Sequence, residues 1–330
     1  MRRTRLAIVV ALLGALVSLP AAAARPAQCV LLVGSYPAEV SANLALMKLD
    51  PNQPTTLQGH DFYAGTLDGR RVVTGIAGPS PQLARSTTTL ALEHWSCVSA
   101  VVFEGTAGGS AKTGIGDVVV ASTWTGDEGK HWTKVDASTL AVARATATRV
   151  AARLSSKGAV NDFTCNCEAT VESVPVVDAL RTPQFIVGGK GVTYGGESST
   201  CSDNGGMLGG CNPCPPGETG PTIGVPGTPL QLSRAARRGT LGAGTVRAAQ
   251  IAGDVGNSSI DYLVDDIQTT GAFAAARARH VPFIAFRGIS DTTDAGDLWP
   301  FEYAVYQGLA ADNAAAAART WIPAWMSRTA

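Results

Sequence analysis

The chain has 330 residues, and its 26 Lys and Arg are matched by 26 Asp and Glu, giving a formal net charge of +0. That balance excludes the basic footprint of a nucleic-acid or anionic-membrane binder. With 45% apolar and only 16% charged residues, the chain carries enough apolar surface for one large α/β domain built on a buried sheet.

The first element is a targeting segment. Arg2, Arg3 and Arg5 precede the apolar run Leu6–Leu19, and Pro20 leads into Ala21–Ala24. Basic, apolar and small-residue regions in that order describe a secretory signal peptide. Residues 1–24 are therefore expected to be removed, leaving 25–330 as one domain in the periplasm or medium. The apolar run is too short to span a bilayer, so no membrane attachment is expected after cleavage.

Further along, Val30–Val33, Val72–Ile76, Val98–Phe103, Val118–Ala121, Phe185–Val187 and Phe283–Phe286 are short Val/Ile-rich runs that predict buried strands. Gln82–His94, Thr269–His280 and Tyr303–Trp321 predict helices with apolar faces. The alternation predicts an α/β fold: a central mixed, mostly parallel sheet flanked by helices.

Seven cysteines suit an oxidising compartment. Cys29 and Cys97 each stand just before a strand, so if those strands are parallel neighbours a bridge between them is geometrically reasonable. Cys165, Cys167, Cys201, Cys211 and Cys214 crowd together. They are either cross-links with one thiol left over or, given Cys165-x-Cys167 and Cys211-x-x-Cys214, a zinc site. The exported setting favours cross-links. Residues 193–229 are dense in Gly, Ser, Pro and Cys, and predict a long disulfide-rich loop insertion.

Four segments in order carry the chemistry: Val33-Gly34-Ser35-Tyr36-Pro37-Ala38-Glu39-Val40; Gly105-Thr106-Ala107-Gly108-Gly109 with Gly114–Val120 behind it; Asp266-Ile267-Gln268; and Val281-Pro282-Phe283 running to Arg287-Gly288-Ile289-Ser290-Asp291. Together they resemble the nucleoside phosphorylase/nucleosidase superfamily, in particular the methylthioadenosine/adenosylhomocysteine nucleosidases. Thr123-Trp124, His131-Trp132 and Gly308–Asn313 also resemble the secreted plant bark storage branch.

The resemblance implies roles. Asp291 is the general acid that protonates purine N7, with Ser290 beside it in the substrate site. Its plainer role is to cap a turn through Thr292 and Thr293. Glu39 is the activator of the attacking water, its plainer role being to stabilise a helix N-terminus. Thr106, Ala107 and Gly108 lie in a glycine-rich run whose backbone approaches the ligand closely, and Tyr194 stacks on the base. Ile267 and Gln268 stand where nucleosidases carry Met-Glu. Gln268 can still bond a ribose hydroxyl, but it brings no negative charge to a cationic transition state.

Ser80, in Gly75–Ser80, resembles the phosphorylase serine that touches phosphate. The phosphorylase Gly-Asp-Pro-x-Arg loop arginine is missing, however, and Glu39 would repel a phosphate dianion. Hydrolysis of a purine nucleoside such as methylthioadenosine or adenosine is therefore expected. The alternatives are a non-catalytic nucleoside-binding or storage protein and a phosphate-dependent phosphorylase. No cofactor, catalytic metal or nucleic-acid partner is implied. The expected partner is a purine nucleoside or free base, and self-association into a homo-oligomer is left open.

Overall fold

The computed structural model describes residues 28–159, 176–179, 181–195, 212–213, 260–293 and 299–329. Residues 1–24, Cys165, Cys167, Cys201, Cys211, Cys214 and most of 193–229 lie outside the described residues.

The chain enters through β1 (Cys29–Gly34), apolar and buried at all six positions, as a strand covered on both faces must be. Helix α1 (Pro37–Leu44) follows with proline in its first turn, where no backbone donor is wasted. Next come β2 (Lys48–Leu49), β3 (Thr55–Leu57), β4 (His60–Leu67) and β5 (Arg70–Ile76). A tight turn through Asp68 and Gly69, both at positive φ, joins β4 to β5 as an antiparallel hairpin. Helix α2 (Pro81–His94) leads to the long β6 (Val98–Gly109). Then follow β7 (Val118–Val120), β8 (Thr123–Thr125), β9 (Thr133–Lys134) and α3 (Ala137–Ala151).

The second half contributes β10 (Lys157–Ala159), β11 (Val176–Asp178), β12 (Phe185–Val187), β13 (Lys190–Thr193) and β14 (Val264–Asp266). It ends with α4 (Thr269–Ala278), β15 (Phe283–Thr292) and α5 (Trp299–Thr329). Helix α5 extends beyond the expected Tyr303–Trp321 at both ends. All six expected strands are present.

The sheet is mixed, with parallel ladders at its centre. β1 lies between β5 and β6, and β15 runs parallel to β6 from Val101 to Gly109. At its carboxyl end the long β6 also meets β14, antiparallel, through Gly108 and Gly109. Through β14 the sheet continues to β13, β8 and β9. β6 and β15 are therefore the spine on which both halves meet.

Helices cover this spine. Trp321 of α5 stacks on Trp325 at 5.1 Å and meets Phe286 of β15 edge-on at 6.1 Å. On the other side Phe273 of α4 stacks on Phe283 at 4.7 Å. Buried Asn313 of α5 bonds the Gly116 and Ser155 carbonyls at 2.8 and 2.9 Å and accepts the Ser155 N–H at 2.8 Å, tying two loops to the helix.

Cys29 and Cys97 form the expected disulfide across the starts of β1 and β6, with Cα atoms 5.2 Å apart. Asn212 of the insertion accepts the Asp61 N–H at 2.8 Å, so the insertion reaches the start of β4. Among the described residues, no helix is long and apolar enough to cross a membrane.

Candidate functional site

The carboxyl ends of β1, β6 and β15 converge, which is where α/β folds expose ligand-binding groups. Glu39, in the first turn of α1, is fully buried there. Its Oε2 accepts the Ser35 N–H at 2.5 Å, and its Oε1 accepts the Thr106 N–H at 2.6 Å and the Thr106 hydroxyl at 2.9 Å. Burial raises the Glu39 carboxyl above its ordinary range, and Arg287 and these three donors pull it back. Gly105 makes the approach possible. Its φ is +144°, and a Cβ there would overlap the Glu39 carboxyl group.

Thr106 is also linked outward. Tyr36 Oη lies 2.6 Å from Thr106 Oγ1, and the Tyr303 hydroxyl donates to Tyr36 Oη at 3.1 Å. Thr106 gives its one hydroxyl proton to Glu39, so Tyr36 must donate to Thr106. The chain Tyr303, Tyr36, Thr106 thus points every donor toward the Glu39 carboxylate.

Arg287, in mid-strand on β15, is the central cation and has no exposed surface. Nη2 donates to the Thr106 carbonyl and to Gln268 Oε1, the latter at 3.3 Å, and stands 4.0 Å from Glu39 Oε1. Nε lies 3.2 Å from Asp266 Oδ2, and the guanidinium sits 4.9 Å above the Phe103 ring. Asp266 also accepts the Thr193 hydroxyl at 2.8 Å and the Gln268 and Thr269 N–H groups at 3.2 Å, which fixes the start of α4. Gln268 is therefore held at the helix start with its amide oxygen turned to Arg287.

Asp291 is the penultimate residue of β15 and is still paired with Gly108 of β6, so it lies in the strand. The Ser290 hydroxyl lies 2.6 Å from Asp291 Oδ1, to which it donates, and 3.2 Å from the Ala107 carbonyl. Burial lifts the Asp291 carboxyl to about 7, the Glu302 charge adds to the shift, and Ser290 opposes it.

The sequence-predicted residues thus fall into two groups on one spine: Glu39, Thr106 and Gln268 around Arg287, and Ala107, Gly108, Ser290 and Asp291 at the strand ends. Tyr194 donates its N–H to the Asp266 carbonyl at 2.6 Å and packs beside Val192, Tyr262 and Trp132. Ile267, half-buried, joins Asp266 to Gln268. Ser80 caps α2, its hydroxyl accepting the Leu83 N–H at 3.2 Å, and neighbouring Pro81 lies against Gly195 and Gly271 beside the start of α4.

Sequence reasoning gave no role to Arg287, Asp266, Asp265, Tyr36 or Glu104. Arg287 had a legible signal: an arginine inside an apolar strand needs buried partners. Glu104, fully buried with Asn43 Nδ2 donating to it at 2.7 Å, is held well above the usual carboxylate range by burial and by the Glu39 charge. Among the described residues, no group of three His, Cys, Asp or Glu side chains is arranged to hold a metal ion.

Comparison with known proteins gives consistent matches. Residues 29–173 match the family model described as the phosphorylase superfamily. An uncharacterised protein of Mycobacterium tuberculosis, Rv2293c, is 33% identical over 197 residues, covering 56% of this chain and 77% of its own. The 5'-methylthioadenosine/S-adenosylhomocysteine nucleosidase of Aeromonas salmonicida is 38% identical over 93 residues, a match spanning 27% of this chain and only 38% of that enzyme. In three dimensions, the same nucleosidase from Neisseria meningitidis, in complex with methylthio-immucillin-A, superposes with a TM-score of 0.56 at 14% identity, covering 89% of this chain and 98% of that one. The Colwellia psychrerythraea nucleosidase in complex with adenine gives 0.54 at 16% identity, covering 90% and 96%.

Proposed function

Since the chain belongs to the phosphorylase superfamily, we propose that it is a purine nucleosidase, hydrolysing the N-ribosidic bond with Asp291 as general acid and Glu39 as water activator. The observation that carries this reading is the buried Glu39 carboxyl, held by three donors beside Arg287 on the same strand spine as Asp291, whose carboxyl burial lifts to about 7.

In the reaction the C1′–N9 bond breaks as Asp291 gives its proton to N7, so the base leaves neutral. Positive charge develops on the ribosyl group. Water adds to C1′ and passes a proton to Glu39, giving free base and free sugar. Thr106 and the Ser35 N–H orient the Glu39 carboxyl, and the Arg287 charge favours its anion against the burial that raises it.

Hydrolysis is favoured over phosphorolysis by charge. Arg287 is engaged by Asp266, Gln268 and the Thr106 carbonyl, and Glu39 stands beside it, so a phosphate dianion would meet more negative than positive charge. Ser80 is taken up in capping α2. Export to the periplasm or medium is part of the same proposal, supported by the Cys29–Cys97 disulfide and the signal-like N-terminus.

The test is base release from methylthioadenosine, adenosine and inosine, with and without phosphate. Release without phosphate is expected. Release only with phosphate, yielding ribose 1-phosphate, would make the protein a phosphorylase. Purine binding with no release would make it a binding or storage protein.

A further inference from the structure

Gly108 has a carboxyl on each side. On β6 it is paired with Asp291 of β15 and with Asp265 of β14. Residues directly opposite each other on adjacent strands share a face and successive residues alternate, so Asp265 turns to the Gly108 side while its neighbour Asp266 turns to Arg287. β15 is bulged between Ile289 and Asp291, and the Asp291 charge acts on Asp265, so the two carboxyls stand near each other across Gly108. Gly108 leaves the space between them open. A Cβ added there would stand 3.0 Å from both Asp265 carboxylate oxygens. Tyr262 hydrogen-bonds the Asp265 carboxyl, yet Asp265 Oδ1 is withdrawn from solvent with no hydrogen-bond partner among the described residues. A buried carboxyl oxygen without a partner is costly to maintain unless something bonds it during function.

We propose that Asp265 is a second base-contacting residue, hydrogen-bonding the substituent at C6 of the purine whose N7 meets Asp291. The inference rests on the purine nucleosidase reading. N7 and the C6 substituent lie side by side on one edge of the ring, so a carboxyl beside Asp291 meets that substituent. Asp265 thereby selects purines bearing a 6-oxo or 6-amino group over purines with hydrogen at C6.

Its protonation decides which of the two is preferred. Burial lifts Asp265 to about 8, with the charges of Asp291 and Asp266 adding to the shift and the Tyr262 hydrogen bond opposing it. Glu302 of α5 acts on the pair through Asp291. Below that value the protonated carboxyl donates to a 6-oxo oxygen. Above it the carboxylate accepts from a 6-amino group.

The experiment is equilibrium binding of hypoxanthine, adenine and unsubstituted purine to the mature protein, below and above the titration of Asp265, in wild type, Asp265→Leu and Asp265→Asn. Wild type is expected to bind the two substituted bases about tenfold or more tighter than unsubstituted purine. Its hypoxanthine-to-adenine preference should fall as pH rises. Asp265→Leu is expected to lose both effects. Asp265→Asn, which keeps the shape, retains the preference for substituted bases through its amide but loses the pH dependence.

Unchanged ratios in folded Asp265→Leu, or an unchanged pH dependence in Asp265→Asn, would overturn the role of Asp265 alone. If wild type binds none of the three bases, the nucleosidase reading falls, and this inference with it.

Discussion

Gly105→Ala tests the placement of Glu39 without removing any polar group. The added Cβ would overlap the Glu39 carboxyl carbon and both of its oxygens. Restoring an ordinary contact of about 3.5 Å requires the carboxylate to retreat by more than about 1 Å. That retreat breaks its bonds to the Thr106 N–H and hydroxyl, which are 2.6 and 2.9 Å long. A misplacement of about 1 Å at a reacting group costs on the order of 10²-fold in rate. Backbone strain at φ +144° adds about 1–3 kcal/mol of destabilisation. Single-turnover base release should therefore fall about a hundredfold, while adenine binding, which relies on the Asp291 side of the site, stays near wild type. Gly59→Ala is the control. It also has positive φ, at 85°, but nothing stands within 4 Å of the added carbon, so it carries strain without touching the site. If Gly105→Ala folds and turns over at the wild-type rate, the position of Glu39 does not limit the chemistry and its role as water activator fails.

Four further outcomes are expected. Asp291→Asn keeps shape but removes the transferable proton, so turnover should drop by about 10²–10⁴-fold with base binding largely retained; wild-type turnover would return Asp291 to a structural role. The pH profile of kcat/KM should be bell-shaped, rising as Glu39 ionises above its ordinary range and falling as Asp291 loses its proton through about 7, and a profile flat across neutrality would refute the pairing. Cys29→Ser opens a bridge spanning 68 residues and should cost about 4 kcal/mol, read as a lowered denaturation midpoint that reductant reproduces in wild type. Gln268→Glu adds a carboxylate beside Arg287 and the developing ribosyl cation, so single-turnover release should increase; a decrease would mean that the new charge draws Arg287 away from Glu39.

The parallel core was legible because β1 and the first halves of β6 and β15 are largely buried on both faces and so read as mostly apolar runs. The elements that gave no such signal are short or half-exposed. β13 begins with exposed Lys190, β14 is Val-Asp-Asp, and α3 is built largely from Ala and Thr. The hairpin turn at Asp68-Gly69 is a recognisable local signal, yet β4 alternates too weakly to stand out beside β5. For the site, the order of motifs singled out Glu39 and Asp291 as candidates but gave nothing of what surrounds them. Arg287 draws its partners from β6, β14, α1 and the start of α4, segments far apart in the chain, and no local pattern encodes that convergence.

The division of labour we propose for the two carboxyls follows from this uneven supply of positive charge. Glu39 and Asp266 stand beside the buried Arg287 guanidinium, and Glu104, Asp265 and Asp291 are three further carboxyls raised by burial, so full ionisation of all five would leave several buried charges uncompensated. The protein has two remedies, hydrogen-bond donors and protons, and distributes them differently. Glu39 receives two backbone N–H groups, a hydroxyl and the Arg287 charge at 4.0 Å, all of which favour its anion. Among the described residues Asp291 receives one hydroxyl bond, from Ser290, and it faces the negative Glu302, so burial and that charge lift its carboxyl to about 7. On the proposed reading, carboxyls supplied so differently serve as base and acid respectively. Exchanging the roles would require Glu39 to give up three donors and Asp291 to ionise with one. On the proposed reading, the donor geometry sets the direction of proton flow, from water to Glu39 on one side of the sugar and from Asp291 to the base on the other.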